Sequence, residues 1–87
     1  MTALQVIETT LNEGCQLVRP RKNQHGHYDS KNFAVGGNKK GWIYLDSYTA
    51  SAVKQVYDAL DNKNKEIFVS FDLLKMVDIT WKLLSKN

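Results

Sequence analysis

The sequence predicts an α+β fold, in which one small domain has the order α-β-β-β-α followed by two C-terminal helices, with a three-stranded antiparallel sheet. Three observations predict it. Apolar residues at both ends of the chain recur at helical spacing, short runs of β-type residues lie between them, and the middle is polar and rich in turn residues. At 87 residues the chain has the length of one domain, so residues 1–87 are assigned to a single one.

The first helix is predicted over residues 2–13, because apolar residues recur at i, i+3 and i+7 from Leu4. Thr2 and Gln5 fit a capping box, in which each side chain satisfies a backbone N–H group of the other residue. Gly14 is predicted to end the helix with a positive φ.

Three strands are predicted in the middle of the chain, and the first is closed by Pro20. They are residues 15–19, 31–35 and 42–45. The stretch 21–30 shows no periodicity and predicts a long loop or a strand extended past the sheet. The Gly-rich connection at 36–41 predicts a hairpin between the second and third strands, and hence a three-stranded meander.

Two helices and one ambiguous run follow. A helix is predicted over residues 49–61 from its apolar spacing. The run at 66–71 has the composition of a strand, but its setting favours a short helix capped by Asn62 or Asn64.

Asp72 is predicted to cap a last helix, spanning residues 72–86, that frays at Lys86. The apolar stripe of this helix is Leu73, Met76, Val77, Thr80, Trp81 and Leu84. We interpret the stripe as core, with a dimerisation face as the alternative. Trp42 and Trp81 are likewise interpreted as core residues.

The single cysteine, Cys15, cannot form an internal disulfide, which favours a reducing, cytoplasmic setting. Because Cys15 follows the negative end of a helix dipole, we expect a buried, inert thiol. The chain has no segment of the signal-peptide type and no apolar run long enough to span a bilayer, so no membrane association is expected.

All excess positive charge lies in residues 19–41, where six basic residues face one acid for a net charge of +5. The rest of the chain has six lysines and eight acids, a net charge of −2. This concentration predicts a site for a polyanion, since Arg and Lys neutralise phosphates and release counterions. The alternative is a solvated hairpin whose lysines prevent edge-to-edge aggregation.

The candidate nucleic-acid ligands are the cations and imidazoles of a basic hairpin (31–45) and loop (19–30). They are Arg19, Arg21, Lys22, His25, His27, Lys31, Lys39 and Lys40. His25, His27 and Tyr28 lie among the charges, where we expect them to stack on exposed bases.

His25 and His27 are the one pair with potential for chemistry, since an extended backbone would project both rings from one face. The further ligands that zinc requires are not evident, so no metal site is predicted. Residues 36–41 lack the spacing and the Lys-Ser/Thr pair of a phosphate-binding P-loop, and no cofactor is predicted. The pair is therefore interpreted as solvent-exposed, with a catalytic role as the alternative.

The favoured function is a small, non-enzymatic, intracellular module that binds nucleic acid. The order α-β-β-β-α is similar to that of double-stranded-RNA-binding domains and of small toxin ribonucleases, a resemblance of element order alone. A ribonuclease using His25 or His27 is a minor alternative, because the chain lacks the Gly-Ser-His stretch expected of such toxins. The other alternative is a regulatory protein of a mobile genetic element that binds another protein, or itself, through its C-terminal helices.

Overall fold

The computed structural model describes residues 1–35 and 37–85, and it confirms the predicted order of elements. The helices in this part of the chain are α1 (Ala3–Glu13), α2 (Ser47–Ala59), α3 (Asn62–Ser70) and α4 (Leu73–Leu84). The strands are β1 (Gln16–Pro20), β2 (Tyr28–Asn32) and β3 (Ile43–Leu45). They form one antiparallel sheet, so the predicted α+β class is also confirmed.

The sheet is not a meander, because β1 lies in its centre. β1 pairs antiparallel with β2 on one side and with β3 on the other, which gives the order β2-β1-β3. The predicted hairpin between the second and third strands is therefore wrong. Leu17 and Val18 are adjacent and both buried, the pattern of a strand that is covered on both faces.

β2 begins at Tyr28, three residues earlier than predicted, and Phe33 and Ala34 form a turn beyond its end. The connection from residue 33 to residue 42 joins two strands that run parallel to each other on opposite sides of β1. Such strands cannot be joined by a tight turn, so this connection crosses the sheet.

The helix termini follow the predicted capping chemistry. The Thr2 hydroxyl accepts the N–H of Gln5 at 3.2 Å, and the Gln5 side chain accepts the N–H of Thr2 at 2.8 Å, which confirms the capping box. Gly14 ends α1 with a φ of 93°, the positive value predicted for it.

An aspartate precedes each of the last three helices and accepts a backbone N–H of its first turn. Asp46 caps α2 at 2.6 Å, and Asp72 caps α4 at 2.9 Å, of which the cap at Asp72 was predicted. The helical interpretation of residues 66–71 is confirmed. The predicted cap at Asn62 or Asn64 is wrong, because α3 begins at Asn62 and the residue before it, Asp61, is the cap. The Asp61 side chain accepts the N–H of Asn64 at 2.8 Å.

The hydrophobic core lies between one face of the sheet, the inner face, and the helices. Val18 and Leu45 of the sheet pack there with Val6 and Ile7 of α1 and Val53 of α2. The predicted apolar stripe of α4 divides between core and surface. Its buried members are Leu73, Met76 and Thr80, and its partly exposed members are Val77, Trp81 and Leu84. The predicted fraying at Lys86 lies outside the described residues.

Tyr28 connects the start of β2 to α4. Its ring is 4% exposed, and its hydroxyl accepts the N–H of Leu73 at 2.9 Å. Its backbone N–H donates to the carbonyl of Met1 at 2.7 Å. The prediction that Tyr28 stacks on bases is therefore wrong, because the ring is part of the core.

Within residues 1–35 and 37–85, no helix has both the length and the apolar character needed to cross a bilayer.

Candidate nucleic-acid interface

The sheet face opposite the core, called the outer face below, carries cations and aromatic rings. Residues that pair across strands share a face, and the register places Leu17 beside Lys31 and Tyr44. One pair further along β1, Arg19 lies beside Asp29. The outer face is defined by Arg19, Lys31, Phe33, Lys39, Trp42 and Tyr44.

Trp42 lies between two cations on this face. Its ring centroid is 4.3 Å from the Arg19 guanidinium carbon and 4.5 Å from the Lys31 ammonium nitrogen. Trp42 directly precedes β3, whereas Lys31 belongs to β2 at the opposite edge, so the ring lies across β1. The prediction that Trp42 is a core residue is wrong, because its apolar character did not indicate which face it occupies.

A second aromatic group lies beside the first. The rings of Phe33 and Tyr44 meet edge to face with centroids 4.7 Å apart, and the Lys39 ammonium lies 3.9 Å from the Phe33 centroid. Both rings are substantially exposed, Phe33 by 40% and Tyr44 by 51%. Cation–aromatic contacts of this kind contribute roughly 0.5–1 kcal/mol each at exposed sites.

Leu17 is covered by this cation–aromatic layer. It is 2% exposed although it does not belong to the core cluster formed with the helices. Its neighbours on the outer face, Lys31 and Tyr44, come from the two edge strands. The rings therefore have a structural role, since they exclude water from the centre of the sheet.

Arg19 and Arg21 share one carboxylate. Arg21 Nε donates to Asp29 Oδ1 at 2.6 Å, and Arg19 Nη2 donates to Asp29 Oδ2 at 3.3 Å. The hydrogen bond from Arg21, followed by that from Arg19, lowers the pKa of Asp29 below its ordinary value of 3.8. Two of the predicted phosphate ligands are thus partly neutralised by a local partner.

The four lysines of residues 19–41 differ from the two arginines, because no carboxylate neutralises them within the described residues. Among the described residues, Lys22, Lys31, Lys39 and Lys40 form no salt bridge. Lys22 lies in an exposed turn of the loop 21–27, and Lys40 lies in the exposed turn before Trp42. The structure therefore brings Lys31 and Lys39 to the aromatic rings and leaves Lys22 and Lys40 at the periphery.

His25 and His27 lie elsewhere, beside an apolar cavity of about 550 Å³. The start of α1, the loop before β2 and the α3–α4 junction form its walls. His25 is in a turn, and Gly26 has a φ of 84°, so the backbone is not the extended one that would project both rings from one face. The histidines are thus not grouped with Lys31 and Lys39. No cluster of three or more His, Cys, Asp or Glu side chains that could hold a metal ion occurs within the described ranges.

Cys15 is only half buried, so the prediction of a buried thiol is wrong. A hydrogen bond with the Tyr44 hydroxyl lowers the pKa of the Cys15 thiol, and the same bond raises the pKa of Tyr44. These neighbours come from β3 and from the start of α2, where Ser47 Oγ lies 4.0 Å from the thiol sulfur.

Comparison with known proteins adds no assignment. No family model matches the chain, and no curated protein or solved structure matches it significantly. The chemistry of the surface is therefore the basis for any functional assignment.

Sequence reasoning missed the aromatic part of this surface. The sequence pattern predicts strands at Phe33 and Tyr44 without indicating which face of the sheet they occupy, and it favours the core for Trp42. The sequence contains a signal for this surface. Lys31 and Phe33 are two positions apart, and so are Trp42 and Tyr44. That period of two indicates one strand face.

Proposed function

We propose that the protein binds nucleic acid without catalysing a reaction, and that the outer face is its contact surface. The observation that supports this proposal is the grouping of three cations around two rings. Arg19, Lys31 and Lys39 come from separate parts of the chain and lie 3.9–4.5 Å from the centroids of Trp42 or Phe33. Mixed cationic and aromatic surfaces are typical of proteins that bind phosphate backbones and bases together.

The lysines of the outer face retain the capacity to bind phosphate. An ammonium group has three N–H donors, and a contact with a ring face does not cancel its charge as a carboxylate would. Lys31 and Lys39 have no salt bridge within the described residues. Lys22 and Lys40 are exposed and also have no salt bridge within the described residues, and Arg21 adds a cation that shares Asp29 with Arg19.

Salt-dependent binding of a random oligonucleotide tests the proposal. Fluorescence anisotropy at low salt should detect binding, and the logarithm of the binding constant should fall linearly with the logarithm of the salt concentration. With three to four phosphates neutralised, the slope should be about −2 to −3 for a single strand. The double variant Lys39→Glu with Lys40→Glu should abolish the binding.

A matched control separates location from net charge. Lys63→Glu with Lys65→Glu makes the same change of charge in the first turn of α3, where acidic residues suit the helix dipole. This control should bind nearly as tightly as the wild type. Equal loss of binding in both double variants, or no loss in the first, would rule out a site at Lys39 and Lys40.

We also propose a cellular compartment for the binding of nucleic acid. The free thiol of Cys15 suits a reducing environment, and we expect the protein to meet its nucleic acid in the cytoplasm.

A second candidate function is supported by the partly exposed side of α4. Leu74 is 58% exposed, and Tyr48, which is 76% exposed, stacks on Trp81 with centroids 5.7 Å apart. Exposed apolar groups of this kind suit binding to another protein or to a second copy, as expected of a regulatory protein of a mobile genetic element. Sedimentation velocity over a range of concentrations tests self-association, which Leu74→Glu should reduce. Absence of oligonucleotide binding at low salt would favour this candidate over the first.

A further inference from the structure

We infer that the ligand of the outer face is single-stranded nucleic acid, whose unpaired bases stack on the rings of Phe33 and Tyr44. The inference rests on the proposed function, since it names the class of ligand that the same surface takes.

The exposure and orientation of the two rings carry the inference. Phe33 and Tyr44 are 40% and 51% exposed, and their planes meet at 61°, so the two rings present faces in different directions. Tyr44 belongs to β3 and pairs with the buried Leu17, and the Phe33 ring in the turn after β2 contacts the Tyr44 ring. An exposed aromatic ring is a surface on which any base can stack, since every base has a π-face.

The same geometry disfavours a duplex. In a double helix the faces of the bases are covered by their neighbours, and only base edges and phosphates are accessible. Rings on a flat sheet face gain nothing from such a ligand, whereas they can stack on splayed, unpaired bases. Reading base edges in a duplex would need an element that enters a groove. The strands that contribute to the outer face have only three to five residues.

Lys39 links stacking to phosphate binding. Its ammonium occupies the Phe33 face at 3.9 Å from the centroid, and its side chain is exposed. On binding, a base takes this ring face and the ammonium moves on its flexible four-carbon stem to the adjacent phosphate. Lys31 and Arg19 stay at Trp42 and hold the next part of the backbone.

Three probes of equal length test the inference with the wild-type protein. They are a ten-nucleotide oligothymidylate, the corresponding ten-base-pair duplex and an abasic ten-mer that keeps the phosphates and lacks the bases. Anisotropy titrations at one low salt concentration should give the tightest binding for the oligothymidylate. Its affinity should exceed that of the abasic strand by about ten-fold or more, since stacking has this effect per base.

Substitutions then locate the stacking. Phe33→Leu and Tyr44→Leu keep an apolar cover over Leu17 and remove the π-system. Each should reduce the affinity for oligothymidylate by about ten-fold and leave the affinity for the abasic strand unchanged. Tyr48→Leu is the matched control, because Tyr48 is more exposed than Tyr44 but lies on α2, and it should change neither affinity. Circular dichroism checks that each variant is folded, and the wild-type comparison of probes needs no variant.

The outcomes separate this inference from the proposed function. Equal affinity of the wild type for oligothymidylate and the abasic strand, or tighter binding of the duplex, would overturn the inference and leave phosphate binding in place. Absence of binding to all three probes would overturn both. Retention of full affinity by both leucine variants would show that these two rings are not the stacking surface.

Discussion

The two faces of the sheet are closed in different ways, although the same central strand contributes to both. On the inner face, Val18 is covered by helices from both ends of the chain and belongs to the core cluster. On the outer face, Leu17 is covered by a thin layer of rings and cations carried by the strands and the connection 33–42.

This difference bears on which face can change. Opening the inner face requires the separation of packed helices, which amounts to unfolding. Opening the outer face requires only rotation of exposed side chains such as Lys39 and Tyr44, at a cost set by a few cation–aromatic contacts. A ligand can therefore enter the outer layer while the core stays intact.

The largest expected effects are losses of stability when one buried side chain from each face is shortened to alanine. Ile7→Ala in the inner core should lower the free energy of unfolding by about 2–5 kcal/mol, because the packed helices cannot fill the cavity. Leu17→Ala should cost about 2 kcal/mol, the low end of that range, since the flexible layer above it can collapse. Urea denaturation measures both. Equal losses would show that the outer layer is as rigid as the core.

Tyr28→Phe should destabilise the protein without affecting the outer face. Removing the hydroxyl leaves the buried N–H of Leu73 without its partner, at a cost of about 1–3 kcal/mol. Tyr48→Phe, which alters an exposed hydroxyl, should change the free energy of unfolding by less than about 0.5 kcal/mol. Oligonucleotide affinity should be the same in both variants, and a selective loss in Tyr28→Phe would connect the inner face to the binding surface.

Asp29→Asn should increase the affinity of the outer face for nucleic acid without changing the inner face. The substitution releases Arg19 and Arg21 from their carboxylate, so oligonucleotide binding should tighten and the salt slope should steepen by about 1. Asp78→Asn is the control, because it removes the same charge from a pair with Lys82 on α4. Similar tightening in both variants would mean that net charge alone governs binding.

Asp29 also predicts a pH effect on stability. Its pKa is lowered in the folded protein by the hydrogen bonds from Arg21 and Arg19, so its contribution to stability is present above its ordinary value of 3.8 and is lost as the pH falls below that value. Urea midpoints measured from about pH 5 to about pH 3 should decrease less steeply for Asp29→Asn than for the wild type. Parallel curves would show that the ion pair does not stabilise the fold.

The smallest effect is expected at the histidines. His25→Ala and His27→Ala should leave oligonucleotide affinity unchanged, since both side chains lie at the apolar cavity, apart from Lys31 and Lys39. Incubation of the wild type with labelled RNA tests the ribonuclease alternative at the same time. Cleavage that disappears in either variant would support it, and cleavage that persists in both would exclude these histidines as catalysts.

The elements and their order could be predicted from the sequence because their signals are local. The capping box of Thr2 and Gln5 and the aspartate caps are formed by residues three positions apart. The strand order could not be predicted in this way, since the Gly-rich segment before Trp42 has the composition of a hairpin turn and a crossing connection alike. The error in strand order then concealed the outer face, because the side on which Trp42 lies follows from the register of β3 against β1.

The crossing connection has a consequence for the way the protein could be divided. A cut in the turn at residues 38–41 would place α1, β1 and β2 in one fragment and β3 with the remaining helices in the other. Each fragment would keep a surface made for its counterpart, since β3 pairs with β1 and α1 packs on α2. We expect the two halves to reassemble when mixed, and Phe33 and Tyr44 would meet only in the reconstituted protein, so split halves would report on complementation through recovered oligonucleotide binding.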